Sequence, residues 1–175
     1  METATLAGGC FWCTEAVLRR LRGVESVTPG YSGGPMPDPT YEEVCSGSTG
    51  HAEAVQVVFD PEAVSFETLL DVFFATHDPT TLNRQGFDAG TQYRSAVFYH
   101  DAAQKQTTER VIAKVNASGD YPDPVVTEVT PYEAFYPAED YHRDFYERNR
   151  NYGYCRAIID PKIAKLLKSY DPILA

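Results

Sequence analysis

Residues 3–21, TATLAGGCFWCTEAVLRRL, decide how this chain is laid out. Thr3–Ala7 reads as a short strand running into Gly8 and Gly9. Phe11–Leu21 then reads as a helix, with Ala16, Val17, Leu18 and Leu21 on one side and Arg19, Arg20 and Arg22 near its end, where the helix dipole favours cations. Cys10 therefore falls at a strand-to-helix junction, at the positive end of the helix. Free backbone N–H groups at such an end stabilise a thiolate and draw a thiol from its ordinary pKa of about 8.5 toward neutrality. The two glycines let other backbone approach closely. A lone cysteine is more commonly a buried structural residue. The glycines, the helix start and the neighbouring Cys13 mark this one as a nucleophile.

Outward from this junction the chain alternates strands and helices. Val24–Tyr31 reads as a strand, followed by a Gly- and Pro-rich stretch, Gly33–Gly50, with a helical turn near Tyr41–Cys45. Ala52–Phe59 alternates as a strand, and Ser65 caps a helix that ends at Thr76. A second irregular stretch, Asp78–Tyr93, leads to the strand Ser95–Tyr99 and the helix Asp101–Ser118. Val125–Thr130 reads as a strand, Ala138–Asn149 as a helix and Lys162–Tyr170 as a terminal helix. This order predicts an α+β fold, a two-layer sandwich with a split βαβ core and long functional loops. A length of 175 residues fits one domain, with no repeat or linker to divide it.

A net charge of −10 leaves no basic stripe for a phosphate backbone, so no nucleic-acid partner is expected. No apolar run approaches the roughly 20 residues that span a bilayer, and the first residues carry no signal-peptide pattern. No membrane partner is expected, and the cytosol is the expected compartment. The four cysteines are then expected to be thiols, with any disulfide transient.

Cys10 and Cys13 form a Cys-x-x-Cys, which admits a dithiol pair, half of a zinc site or chance. Zinc needs two more ligands, and neither Cys45, Cys155 nor the four histidines supply a spaced pair, so no metal is expected. A thioredoxin-type site has Trp before its first cysteine and Pro before its second, and this chain has neither. Phe11 and Trp12 cannot both point inward from one helix face, so one or both can line a pocket for an apolar methyl or thioether. Glu53 shares a strand face with Val55, Val57 and Phe59 if the strand includes it. A carboxyl there is paired or protonated, and a protonated one can hand a proton to a substrate oxygen. If the strand begins later, Glu53 is simply solvated. Tyr41, Tyr93 and Asp88 lie in the two irregular stretches, where the tyrosines are candidate O–H donors to a developing oxyanion. Cys155, in a stretch of little regular pattern, reads as a mobile cysteine able to attack a sulfenic acid. Cys45 reads as buried and inert.

The runs GGCFWCTEA (8–16), GYSGG (30–34), PTYEEVCSGSTGHAEAVQVVFDP (39–61), FFATHDPTTLNRQGFDAGTQYRSAVFY (73–99) and NYGYC (151–155) closely resemble the peptide methionine sulfoxide reductase A family. The resemblance spans about Ala7 to Lys162. It implies a ferredoxin-like core and reduction of the S epimer of methionine sulfoxide, free or in oxidised proteins. By resemblance Cys10 attacks the sulfoxide sulfur and Glu53 protonates its oxygen, assisted by Tyr41 and Tyr93. Asp88 then organises the site, and Phe11 and Trp12 hold the substrate methyl. Cys155 matches the family's usual resolving position, while Cys13 stands where many members have glycine and offers an alternative resolving thiol. A thioredoxin-like reductant, no cofactor and a monomeric enzyme complete the expectation. A general thiol–disulfide oxidoreductase using Cys10 and Cys13 is the rival enzyme, and a non-catalytic redox sensor is the rival from another class.

Overall fold

In the computed structural model, which describes residues 1–175, the first strand is β1 (Glu2–Ala7), in the interior of a six-stranded sheet. The other strands are β2 (Val24–Ser32), β3 (Ala52–Phe59), β6 (Ala96–Tyr99), β7 (Glu128–Pro131) and β8 (Phe135–Pro137). Their order is β7-β6-β1-β3-β2-β8, with all pairs antiparallel except β6 with β7. A two-stranded hairpin, β4 (Arg84–Gln85) and β5 (Asp88–Ala89), stands apart from this sheet. The helices are α1 (Phe11–Leu18), α2 (Tyr41–Cys45), α3 (Phe66–Thr76), α4 (Ala102–Ser118), α5 (Phe145–Arg148) and α6 (Asp160–Tyr170).

Period-two alternation along β3 sorts the sheet into two faces. Val55, Val57 and Phe59 enter the main core, where Leu6 and the helical residues Leu18, Leu69, Leu70 and Phe74 are also buried. Full burial of each such side chain contributes about 1.5–3 kcal/mol. Ala52 and Ala54 turn the other way and meet Ala7, Ala96 and Phe98, with Phe135 and Tyr132 packed against them. Glu53 has the parity of Val55 and lies on the helix side of β3, so the strand does include it.

Several boundaries differ from the sequence reading, each for a local reason. Helix α1 stops at Leu18, and Arg19 and Arg20 reach Asp144 and Glu147, joining its end to α5. Ala138–Asn149 is not one helix but a single turn, Asp140–His142, followed by α5. The break is at Asp144, whose φ is +51° and whose N–H donates to Glu15 Oε2 at 3.2 Å, so the helical ladder cannot pass through it. Cys155 does not lie in a mobile segment: it is fully buried in a π-helical turn, Cys155–Ile159, that runs into α6. Cys45 is half-exposed at the end of α2 rather than buried.

The junction at Gly8 and Gly9 depends on the absence of side chains. Gly9 has φ +85°, in the left-handed region that turns the strand into α1. A Cβ on Gly8 would sit 2.9 Å from the Phe73 ring and 3.0 Å from the His77 ring. His77 cannot move aside, because it is buried with Nε2 2.8 Å from Ser95 Oγ. Gly8→Ala is therefore expected to lower stability by about 1–3 kcal/mol. The shift of the urea midpoint measures it. Gly153→Ala, where an added methyl meets nothing, is the control and is expected to fall within about 0.5 kcal/mol of the wild type.

Candidate active site

The N-terminal turn of α1 meets β3 at Glu53. Glu53 is 1% exposed, and its Oε1 accepts the Phe11 backbone N–H at 3.1 Å. Its Oε2 is buried with no partner. Burial pushes this carboxyl up to about 8, with the Asp88 and Cys13 charges adding and the Phe11 N–H opposing. At neutral pH the acid is protonated, and since Oε1 is accepting, the proton belongs on the unpartnered Oε2.

Cys10 is the residue before α1 and is 7% exposed. It makes no side-chain cap hydrogen bond, and the helix end does not lower its thiol as the sequence suggested. Burial raises it, followed by the neighbouring Cys13 thiol and the Glu53 charge, and the Trp12 N–H is too small an opposing influence. Cys13 moves the other way. The neighbouring Cys10 thiol lowers it against the effect of burial, with the Lys162 charge helping. The two thiols therefore titrate as a pair, with the negative charge favoured on Cys13.

Tyr41 opens α2, and Tyr93 ends the turn Thr91–Tyr93. Burial and then the Glu53 charge hold both phenols well above their ordinary value, so each is a protonated donor. Asp88, on β5, accepts the Tyr154 hydroxyl at 2.7 Å, and the same hydroxyl lies 3.7 Å from Cys13 Sγ. Cys155 is raised chiefly by burial, and the charged neighbours acting on it are Cys13 and Asp160. A cleft of about 420 Å³, lined by Cys13, Gln85, Phe87, Asp88, Tyr154 and Lys162 among others, opens beside this group.

Phe11 and Trp12 diverge as two adjacent helical residues must. Phe11 is buried, its ring 5.7 Å from Tyr31 and 6.2 Å from Tyr41, while Trp12 is half-buried and stacks on Phe145 at 3.7 Å. The structure thus gathers Cys10, Cys13, Phe11, Glu53, Tyr41, Tyr93 and Asp88 around one end of the sheet. It adds residues the sequence reading did not single out: Tyr154, Lys162, Glu139 and His142. Glu139 receives the Tyr31 hydroxyl and the Tyr41 N–H, both at 2.9 Å. These four lie far from Cys10 in sequence and carry no spacing signal. Only the NYGYC run placed Tyr154 near a residue of interest.

The family model for peptide methionine sulfoxide reductase matches residues 2–172. The chain belongs to that family. The peptide methionine sulfoxide reductase MsrA of Sulfolobus acidocaldarius is 56% identical over 170 residues, 97% of this chain and 96% of the relative. Among solved structures, reduced Mxr1 from Saccharomyces cerevisiae is 34% identical with a TM-score of 0.82, covering 88% of each chain. Mxr1 in complex with Trx2 matches at 26% identity and a TM-score of 0.58, covering 82% of this chain and 84% of that one. The protein is accordingly an oxidoreductase that reduces methionine sulfoxide with thiols. No helix of this reductase is long and apolar enough to cross a membrane.

Glu53 also links stability to pH. Its folded value, about 8, lies above the ordinary 4.5, so its contribution is complete below 4.5 and is lost as pH rises through about 8. Glu53→Gln keeps an acceptor for the Phe11 N–H and cannot ionise. Its melting temperature is expected to gain on the wild type between pH 5 and pH 9. A constant difference across that range would mean that Glu53 is already ionised in the fold.

Proposed function

We propose that this reductase acts on the S epimer of methionine sulfoxide, with Cys10 as nucleophile and Glu53 as general acid. The observation that carries the reading is the buried, unpartnered Oε2 of Glu53, a carboxyl oxygen bearing its proton beside the reactive thiol pair. As the Cys10 sulfur attacks the sulfoxide sulfur, Cys13 takes the Cys10 proton and Glu53 delivers its own to the sulfoxide oxygen. Tyr41 and Tyr93 add O–H donors to that oxygen, and Phe11 and Trp12 receive the methyl. The oxygen passes to Cys10 as a sulfenic acid and methionine leaves. Cys10 loses two electrons and the sulfoxide gains two. The site is completed within one chain, which supports a monomeric enzyme. The strand order β6-β1-β3-β2, all antiparallel, supports the split βαβ reading of its core.

Cys13 resolves the sulfenic acid in this reading, because it lies one helical turn from Cys10 and the two thiols titrate together. The Cys10–Cys13 disulfide forms with loss of water, and Cys155, buried in the same core cluster as Cys13, exchanges with it afterwards. Cys155 thereby keeps a resolving role as the second thiol of a relay. A thioredoxin-like dithiol reductant restores the thiols, as the Mxr1–Trx2 complex illustrates for that protein. The cleft at Cys13 gives such a reductant a path. The cytosol, where thiols are kept reduced, is the proposed setting.

Single-turnover kinetics test the acid. Glu53→Gln is expected to slow sulfenic acid formation by about 10²–10⁴-fold and to lose an alkaline limb that the wild type shows near pH 8. Retention of the wild-type rate would overturn the assignment. Intact-mass analysis after one equivalent of sulfoxide tests the relay. Cys13→Ser is expected to stall with an added oxygen, whereas Cys155→Ser closes an internal disulfide at the wild-type rate. The reverse pattern would make Cys155 the direct resolving thiol.

A further inference from the structure

His142 ends the turn Asp140–His142 and is fully buried. Its imidazole packs among the rings of Phe11, Tyr41 and Tyr141, at 4.9, 4.5 and 4.0 Å between centroids. Its Nδ1 lies 3.0 Å from Trp12 Nε1. An indole nitrogen only donates, so Nδ1 accepts and carries no proton. The ring proton of the neutral imidazole is then on Nε2, which is buried and has no partner. A hydrophobic ring would fill this aromatic box without leaving a buried N–H unpaired, and buried polar atoms are nearly always paired. What the imidazole supplies that a phenyl ring cannot is the acceptor facing Trp12.

We propose that His142 is a positioning residue for the reductase, its bare Nδ1 holding the Trp12 indole in the orientation that receives the substrate methyl. The proposal rests on the reading of Trp12 as a substrate-binding ring. Two contacts define the indole. Phe145 stacks on it at 3.7 Å with planes 5° apart and fixes the plane. The Nδ1 hydrogen bond selects which edge of the ring points toward His142. Both partners come from the 140–148 segment, which Glu15 of α1 anchors through the Asp144 N–H. The helix that carries Trp12 therefore also braces the segment that orients it.

The acceptor exists only while His142 is neutral, since a protonated Nδ1 would point an N–H at the indole N–H. Burial holds the imidazole below its ordinary value of 6.5, and the carboxylates of Glu139 and of Glu42 on α2 oppose this without reversing it. The other groups packed on the ring, Phe11 and Trp12 from α1, Tyr41 from α2 and Tyr141, carry no charge near neutrality. The hydrogen bond thus persists through neutral pH and fails in acid.

Trp12 is the chain's single tryptophan, so indole emission reports the surroundings of this one ring. His142→Phe keeps an aromatic ring and removes the acceptor. His142→Asn returns an acceptor oxygen near the Nδ1 position. On a peptide methionine sulfoxide, His142→Phe is expected to raise KM about tenfold, the equivalent of one hydrogen bond, with kcat within about twofold. Its emission is expected to shift to the red and to lose the acid titration seen in the wild type. His142→Asn is expected to recover most of the KM without restoring the titration. Adding His142→Phe to Trp12→Phe is expected to change nothing further. Equal impairment of the Asn and Phe variants, or an unchanged KM in the Phe variant, would reduce His142 to packing and overturn the proposal. A wild-type KM in Trp12→Phe would instead remove the substrate role of Trp12, while the emission arm still reads the His142 bond. Should His142→Phe not fold, the Asn variant and the wild-type fluorescence titration decide. Recovery of KM together with an acid titration confined to the wild type supports positioning, and its absence overturns it.

Discussion

The hydrogen bond from the Phe11 N–H to Glu53 Oε1 joins the first turn of α1 to the end of β3, and much of the site follows from it. It occupies one oxygen of a buried carboxyl and leaves the other bare. It also holds the strand-to-helix turn, and so Cys10, against the acid. The cost of placing a carboxyl in this position is met by keeping it neutral, because burying an ionised group without a partner costs far more than protonating it. Structure and chemistry therefore share one constraint: the acid is protonated because it is buried, and it is buried because β3 presents it to the helices.

The thiols are governed by the same environment. A helix N-terminus stabilises a thiolate only where solvent or a partner supports the charge, and at Cys10 desolvation outweighs it. The charge moves instead to Cys13, which has Cys10, Tyr154 and Lys162 around it. A second cysteine one helical turn after the first thus changes the acid–base behaviour of the site as well as its redox options. Cys155 belongs to the same cluster through packing, although 142 positions separate it from Cys13 in the chain.

Much of this was legible along the chain. The alternation Ala52–Phe59 offered Glu53 the apolar face but left a later strand start open, and the Gly8-Gly9 turn announced the Cys10 junction, because both signals arise from neighbouring residues and backbone sterics. The breaks near Asp144 and Cys155 were not legible. At Asp144 the backbone N–H donates to Glu15, 129 residues away, which overrides local helical periodicity. At Cys155 burial under α1 and α6 converts an irregular-looking segment into a helical turn.

The sequence by itself determined the family and much of the element order, and marked Cys10 and Glu53 as candidate nucleophile and acid, since these rest on local pattern and on residues set in recognisable runs. Only the tertiary structure decided which thiol carries the charge, which oxygen of Glu53 is free, and that His142 faces Trp12. Each of these depends on desolvation or on a hydrogen bond between distant segments, and neither quantity exists until the chain has folded around it.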